Sequence, residues 1–218
     1  MTTFSSTELL TYANLQIAAE ALYGQLKSTA GNPNTLMSDK DIDDINKDLF
    51  KENSDEGYLT QGNNHSSKFS QTQAKEFIKD WQVVQHMNNT KTGFSGTLFK
   101  NIHTDELVIS FRSTEFVEDQ LRDSISTNTL EISETGWAMG QISDMEAWFN
   151  TLKTKGIIGE DQKITVTGYS LGGHLATSFH ILHSKQIDKT ITFNGAGVGD
   201  VGGLFDKVTS KEELYFYC

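Results

Sequence analysis

The N-terminal part of the chain begins with an amphipathic stretch and continues into a polar connector. Ser5 and Glu8 form a capping-box pattern, and apolar residues then recur every three to four positions, which predicts a helix over residues 5–24. Residues 25–68 are mostly polar and contain the only proline of the chain. They predict short helices joined by loops rather than a continuous element.

The middle of the chain changes from a helical period to compact apolar runs. A second capping-box pattern, Ser70 with Gln73, opens a predicted helix that continues to about residue 80. Two strand-like runs follow at 81–87 and 94–100, separated by a turn-rich connector. This pattern predicts a β-hairpin.

The remaining apolar pattern alternates between strands and helices. The predicted elements are a buried strand at 106–112, a helix at 139–154, a strand at 163–170, a helix at 170–185, a strand at 189–197 and the start of another strand at 214–217. A strand, a helix and a strand in this order indicate a parallel βαβ unit. We therefore predict an α/β fold with a central, mostly parallel sheet and flanking helices.

Length and charge narrow the functional classes. The chain has 218 residues, which suits a single domain over residues 1–218. Its formal net charge is −11. A protein this acidic repels phosphate backbones, so we expect no nucleic-acid partner and no docking on anionic membranes.

Cysteine content and the N-terminus say little about the compartment. The single cysteine, Cys218, permits no intramolecular disulfide, so nothing demands an oxidising environment. The first ten residues contain no basic side chain and no long apolar run. We expect no cleavable signal peptide and no transmembrane segment, and the localisation is left open.

The strongest chemical signal is a G-x-S-x-G motif. Gly168, Ser170 and Gly172 stand between the predicted strand at 163–170 and the helix that follows. In a nucleophile elbow the serine occupies a strained strand-to-helix turn, and the glycines let the strand and the helix approach closely. A glycine-rich turn that binds a phosphate or nothing at all is the structural alternative.

Three segments resemble the class 3 (fungal-type) lipase family of the α/β-hydrolases. The elbow segment GYSLGGHLA (168–176) is one, ISFRSTEFVEDQLRD (109–123) resembles the strand and loop that supply an oxyanion residue, and TFNGAGVGD (192–200) resembles the strand after the elbow helix. The resemblance covers about residues 80–210, in order and spacing. It implies an α/β-hydrolase-like fold with serine esterase chemistry.

The resemblance assigns roles position by position. Ser170 matches the nucleophile, Thr114 the residue whose amide and hydroxyl bind the oxyanion, and Leu171 the second oxyanion amide. Two positions depart from the family pattern. Ser113 stands where the family usually has glycine, and Tyr169 stands where it usually has histidine.

The loop after the predicted strand at 106–112 carries a further expectation. Apolar residues within 116–125 could form a short amphipathic helix, and the family has a lid at this place. Ordinary core packing is the alternative. Arg112 and Asp123 could pair across the base of the loop, which we interpret as structural.

A complete catalytic triad is missing from the sequence. The histidines after Ser170 are His174, His180 and His183, and all three fall on the predicted elbow helix, which runs away from the serine. Each is interpreted as a surface or partly packed residue rather than as the base. Asp200 and Asp206 are read as a turn residue and a weak acid candidate. We expect the triad acid and histidine beyond residue 218, in a C-terminal part of the fold that this chain lacks.

Other ligand motifs fail on their spacing. The aspartate-rich segment 38–48 departs from the EF-hand template and is interpreted as a solvated acidic helix, with Ca²⁺ left open as the alternative. The remaining histidines lack zinc spacing, and the glycines of 195–203 lack the dinucleotide pattern. We therefore predict no cofactor.

Together these patterns predict a serine carboxylic-ester hydrolase of the triacylglycerol lipase kind. Its partner would be a lipid or other ester substrate, including one presented at an oil–water interface. Two alternatives stay open. One is a catalytically incomplete lipase-like binding module, and the other is a phospholipase A1, thioesterase, peptidase or other esterase on the same fold.

Overall fold

The computed structural model describes residues 5–23, 30–63, 67–113 and 138–195, together with the backbone of a strand at Leu214–Tyr217. The helices are α1 (Ser6–Ala19), α2 (Asp39–Asp48), α3 (Tyr58–Gln61), α4 (Gln71–Asp80), α5 (Met139–Thr154) and α6 (Leu171–His183), with a 3₁₀ turn at Ser184–Gln186. The strands are β1 (Trp81–Met87), β2 (Gly96–Asn101), β3 (Leu107–Phe111), β4 (Ile164–Tyr169), β5 (Ile187–Phe193) and β6 (Leu214–Tyr217).

The strands form one mixed sheet in the order β1-β2-β3-β4-β5-β6. The pairings of β1 with β2 and of β2 with β3 are antiparallel, whereas β3 through β6 run parallel. The predicted hairpin and the predicted βαβ unit are both present. The prediction of an α/β-hydrolase-like sheet with flanking helices is confirmed.

Helix starts follow the capping chemistry of the sequence. The amide of Glu8 donates to Ser5 Oγ at 3.2 Å, and the amide of Gln73 donates to Ser70 Oγ at 3.3 Å. A third capping box, not predicted, opens α2 at Ser38. This helix confirms the interpretation of 38–48 as an acidic helix, since it buries two isoleucines and leaves its acidic side chains largely exposed.

The sheet separates two hydrophobic clusters. Consecutive strand residues point to opposite faces, so Val108 packs with α1, α2 and α4, whereas Ile109 packs with α5 and α6. Phe99 and Leu98 divide in the same way. The parallel strands are therefore covered on both faces, as the apolar run in β3 predicts.

The outer edge of β1 is joined to the preceding segment by two side-chain amides, one from each side. Asn46 of α2 donates through Nδ2 to the carbonyl of Val83 and accepts from the amide of Val83 through Oδ1, both at 2.8 Å. Gln85 makes the equivalent pair with the backbone of Met37, at 3.1 and 3.2 Å. Asn46 therefore takes the place of a neighbouring strand at Val83, whose backbone groups would otherwise be unpaired at the edge. Gln85 ties the preceding segment to β1 through its own side chain.

Candidate active site

Ser170 occupies a strained turn between β4 and α6. Its backbone has φ 51° and ψ −117°, a positive-φ conformation that non-glycine residues rarely adopt. Such a conformation costs on the order of 1–3 kcal/mol and persists only where the surroundings enforce it. The amide of Ser170 donates to the carbonyl of Phe193 at 3.1 Å, and the carbonyl of Ser170 accepts from the amide of His174 at 3.1 Å. The turn is therefore held from the adjacent strand and from the helix.

Glycines allow three backbones to meet at this turn. A Cβ on Gly168 would lie 2.3 Å from the carbonyl carbon of Gly172, and a Cβ on Gly172 would lie 2.2 Å from the carbonyl oxygen of Phe111. A Cβ on Gly173 would lie 2.7 Å from the Cα of Gly195. Strand β4, helix α6 and the end of β3 thus touch through main-chain atoms. The G-x-S-x-G pattern and the glycine after it are steric requirements of the elbow.

The elbow places Ser170 at the amino end of α6. Leu171 is the first residue of that helix, where the helix offers an amide no acceptor of its own. The positive end of the helix dipole faces the same point. Ser170 is partly exposed, and Tyr169 beside it is 42% exposed. The first turn of α6 can therefore donate hydrogen bonds to an anion that forms on a substrate bound to Ser170.

The end of β3 is adjacent to the elbow, and it is tied to α1. The amide of Ser113 donates to Glu20 Oε1 at 2.9 Å, and Ser113 Oγ donates to Glu20 Oε2 at 2.8 Å. The role of Glu20 was missed in the sequence. No local signal indicated it, because the predicted helix over residues 5–24 placed Glu20 inside the helix, and its partner lies 93 positions away.

The histidines after Ser170 are more deeply buried than expected. His174 and His180 are 0% and 5% exposed, so their interpretation as surface or partly packed residues is wrong; only half-buried His183 fits it. Helix α6 packs mainly against β4 and β5 of the sheet and also contacts α5.

Each of these histidines has a structural partner. His174 Nε2 accepts from the amide of Ala138 at 3.3 Å, His180 Nδ1 lies 2.8 Å from Thr190 Oγ1, and His183 Nε2 lies 2.6 Å from Glu146 Oε1. None of the histidines in the described ranges hydrogen-bonds to Ser170. The expectation that they are not the base stays a prediction.

A further histidine, His86 of β1, is fully buried near the end of β3. Burial, together with the positive charge of Arg112, lowers the pKa of His86 to about 3. His86 Nδ1 lies 2.9 Å from Thr97 Oγ1 on the neighbouring strand. It is a neutral packing residue at ordinary pH.

Several predicted features lie outside the described residues. They are the oxyanion candidate Thr114, the lid segment 116–125, Asp123 as partner of Arg112, and Asp200 and Asp206. The structure gives these predictions no test.

The described ranges show neither a metal-binding cluster nor a membrane-spanning helix. They contain no group of three or more histidine, cysteine, aspartate or glutamate side chains arranged to hold a metal ion. No helix in them is long and apolar enough to cross a membrane. Two acidic side chains of α2 pair with lysines: Asp44 Oδ2 lies 2.7 Å from Lys40 Nζ, and Asp48 Oδ1 lies 3.4 Å from Lys51 Nζ.

Comparisons with known proteins give structural neighbours alone. No protein-family model and no curated protein sequence matches the chain. The chain is similar to the lipase from Rhizopus microsporus var. chinensis, with 13% identity, a TM-score of 0.49, and coverage of 98% of this chain and 66% of that one. It is also similar to a deletion mutant of the Rhizomucor miehei lipase in complex with its propeptide, with 13% identity, a TM-score of 0.33, and coverage of 60% of this chain and 45% of that one.

The chain thus spans just under two thirds of the Rhizopus lipase. Class 3 membership stays a prediction, and the fold assignment rests on the sheet topology and the elbow.

Proposed function

We propose that this protein is a serine carboxylic-ester hydrolase that acts on lipid esters such as triacylglycerols, with Ser170 as its nucleophile. One observation carries the proposal. Ser170 is held at φ 51° in a turn where strand, helix and neighbouring strand meet through glycine backbones. The surrounding structure maintains this strained backbone at an energetic cost. A turn of this kind presents a serine hydroxyl at the carboxyl edge of a parallel sheet.

The chemistry would follow the acyl-transfer route of serine esterases. Ser170 Oγ attacks the ester carbonyl carbon and its proton passes to a base, while the carbonyl oxygen becomes an oxyanion. The amide of Leu171 at the start of α6, with Thr114 as the second donor, would stabilise that charge. Collapse of the tetrahedral intermediate expels the alcohol with its proton, and water then hydrolyses the acyl-enzyme. Each oxyanion donor is worth roughly 100-fold or more in rate.

A second function is favoured by a specific observation. None of the described histidines hydrogen-bonds to Ser170, which leaves the activating base unassigned. A lipase-like module that binds lipid or protein without turnover would look the same there. A phospholipase A1 or another esterase would share the elbow as well, because specificity depends on residues around the acyl group.

Labelling with a fluorophosphonate probe separates these functions. We expect the wild-type protein to become labelled at Ser170 and Ser170→Ala to stay unlabelled. A longer product of the same gene, where the gene encodes one, is labelled alongside, so that a base supplied by further residues is detected. Labelling that needs the longer product assigns the base to those residues. Absence of labelling in every form contradicts the proposal and favours the binding module.

Substrate class is tested on untreated protein, in whichever form reacts with the probe. Hydrolysis of emulsified triacylglycerol, of phosphatidylcholine vesicles and of a soluble short-chain ester is compared at equal ester concentration. The proposal expects the highest rate on the triacylglycerol. A preference for the phospholipid or for the soluble ester would replace the lipid-ester assignment with the corresponding esterase.

A further inference from the structure

Asn194 and Gly195 form the only Asn-Gly dipeptide of the chain, and they follow β5 directly. Both residues are exposed to solvent. An asparagine in this setting reacts with its own backbone, because the next amide nitrogen can attack the side-chain carbonyl carbon. Glycine favours the attack, since it has no side chain to block the approach and its backbone rotates freely. The dipeptide and its exposure therefore indicate a site of deamidation.

The backbone at this dipeptide lies outside the regular hydrogen bonding of the sheet. Asn194 has φ 46°, in the left-handed region, directly after the extended residues of β5. Among the described residues, the amide of Gly195 donates to no backbone carbonyl. A hydrogen-bonded amide would have to leave its acceptor before its nitrogen could attack, and here there is no such bond to break. The local structure therefore does not protect the dipeptide.

The reaction needs no co-reactant other than water. Base removes the proton from the amide of Gly195, and the nitrogen forms a bond to Cγ of Asn194. The bond from Cγ to the side-chain nitrogen breaks, that nitrogen takes up a proton and leaves as ammonia, and a cyclic succinimide remains. Water opens the ring at Cγ to give aspartate, or at the α-carbonyl carbon to give isoaspartate. In isoaspartate the main chain passes through Cβ and Cγ and is one carbon longer.

The reacting peptide bond lies between two contacts that hold the elbow. The carbonyl of Phe193, one residue before Asn194, accepts the hydrogen bond from the amide of Ser170 at 3.1 Å. On the other side, Gly195 packs on the first turn of α6, where a Cβ on Gly173 would lie 2.7 Å from the Cα of Gly195. A change in the length of the main chain at this bond therefore acts on the turn at Ser170.

We propose that Asn194 is a deamidation site and that its isoaspartyl product loosens the elbow and inactivates Ser170. The extra carbon separates the contact at Phe193 from the contact at Gly195, and a backbone packed this closely cannot keep both. The aspartyl product adds a negative charge but no carbon, so it leaves both contacts in place. The loss of activity rests on the proposed function, whereas the deamidation and the loosening do not.

The chain supplies its own control for the reaction. Asn53, between α2 and α3, is also exposed and also has positive φ, at 58°, but serine follows it. Wild-type protein is incubated at mildly alkaline pH, and peptide mass spectrometry measures aspartate and isoaspartate at both positions. We expect Asn194 to react at least about 10-fold faster than Asn53, because glycine leaves the attacking nitrogen unhindered. Its rate should rise with the hydroxide concentration, since the amide must lose its proton.

The effect on the elbow is measured on the same incubated samples. Molecules that carry isoaspartate at position 194 should react with the fluorophosphonate about 100-fold more slowly, the cost of a displacement of about 1 Å at a catalytic group. They should appear as a slow phase whose amplitude equals the isoaspartate content. Hydrogen exchange at the Ser170 amide should accelerate in the same proportion, because the bond to the carbonyl of Phe193 is weakened.

Two variants separate the added carbon from the other changes. Asn194→Gly cannot deamidate at that position and adopts positive φ readily, so it should keep its own starting rate of labelling throughout the incubation. Freshly prepared Asn194→Asp carries the charge without the added carbon. It should become labelled within about fivefold of the rate of fresh wild type, because a charge exposed to water is screened.

Three results would overturn the inference. One is deamidation of Asn53 at least as fast as that of Asn194. Another is isoaspartate at position 194 with neither a slow labelling phase nor faster exchange at the Ser170 amide. The third is a fresh Asn194→Asp protein as slow as the isoaspartyl molecules, which would assign the effect to charge. Failure of the proposed function looks different, because fresh wild type would not react with the probe; mass spectrometry and exchange at Ser170 then decide the inference without activity.

Discussion

The carboxyl end of β4 and the outer edge of β1 are both places where the regular strand pairing of the sheet ends, and they differ in backbone strain. At the edge of β1, Asn46 completes the hydrogen bonding of Val83 with ordinary backbone geometry. At the end of β4, Ser170 is forced to positive φ, and the glycines around it leave no room for a methyl group. The first region lowers the energy of the fold, whereas the second stores strain.

The difference indicates where selection has acted for something other than stability. A locally consistent region is what folding alone requires, and departures from consistency concentrate at functional sites. Substitutions at the edge of β1 should therefore change stability without changing the chemistry. Substitutions at the elbow should change the chemistry, and some of them should make the protein more stable.

The largest effect is expected for Gly172→Ala. The added Cβ would lie 2.2 Å from the carbonyl oxygen of Phe111, so β3 and α6 must separate. We expect a loss of at least about 3 kcal/mol in unfolding free energy and loss of fluorophosphonate labelling. The control is Gly159→Ala, whose Cβ would meet Gln162 at 3.7 Å; it should change neither quantity. A stable, labelled Gly172→Ala protein would contradict the backbone contact at the elbow.

Asn46→Ala should give the next largest change, at the other region. It leaves the amide and the carbonyl of Val83 without the side chain that bonds them. We expect the free energy of unfolding, measured by chemical denaturation, to fall by about 2 kcal/mol. The labelling rate of Ser170 should stay within about twofold of wild type. Lys47→Ala, at an exposed neighbouring position, should have little effect on either. A fall in labelling for Asn46→Ala alone would show that the two regions are coupled.

Much of the fold was predictable because it depends on local patterns. Capping boxes at Ser5 and Ser70 and the apolar run of β3 each act over a few residues, and the structure confirms the elements that they predict. Boundaries were less accurate, since α1 ends at Ala19 rather than near Gly24. The pair of hydrogen bonds between the Asn46 side chain and the Val83 backbone was not predictable, because it joins positions that are distant in sequence and belongs to no motif.

In the candidate site too, local features could be predicted and contacts between distant positions could not. The elbow could be predicted because Gly168, Ser170 and Gly172 fall within one short turn with a steric reason for each residue. The bond from Ser113 to Glu20 spans 93 positions and became visible only in the fold. The burial of His174 and His180 was misjudged for a related reason, since their partners, Ala138 at the start of α5 and Thr190 of β5, are distant in the sequence.

His86 of β1 should make the free energy of unfolding depend on pH. Its pKa is lowered to about 3 by burial and by the charge of Arg112. Between that value and the ordinary pKa of 6.5, the unfolded chain binds a proton that the folded protein does not. The contribution of neutral, buried His86 to the free energy of unfolding is therefore fully present above pH 6.5 and is lost as the pH falls towards 3. From pH 6.5 to pH 5 we expect wild type to lose about 2 kcal/mol through this residue, at about 1.4 kcal/mol per pH unit.

The variant His86→Gln isolates that contribution from the titration of carboxylates. Its stability should fall less steeply than that of wild type between pH 6.5 and pH 5, measured by denaturation at each pH. The exposed His103, which contacts Asp80 at 3.2 Å, supplies the control, and His103→Gln should keep most of the wild-type slope. Parallel curves for wild type and His86→Gln would mean that His86 takes up its proton without cost in the folded state.

The smallest effect, a gain in stability, is expected for Ser170→Gly. Glycine adopts φ 51° without the steric cost that serine bears, so the strain is relieved, while the greater freedom of glycine in the unfolded chain offsets part of the gain. We expect a net increase of about 1 kcal/mol in unfolding free energy, measured by thermal and chemical denaturation. Ser170→Ala is the matched control, because it removes the hydroxyl and keeps the Cβ that causes the strain. Both variants should lose labelling, and only the glycine variant should gain stability. If the two were equally stable, the backbone at Ser170 would carry no strain, and the contrast between the elbow and the edge of β1 would rest on the glycine contacts alone.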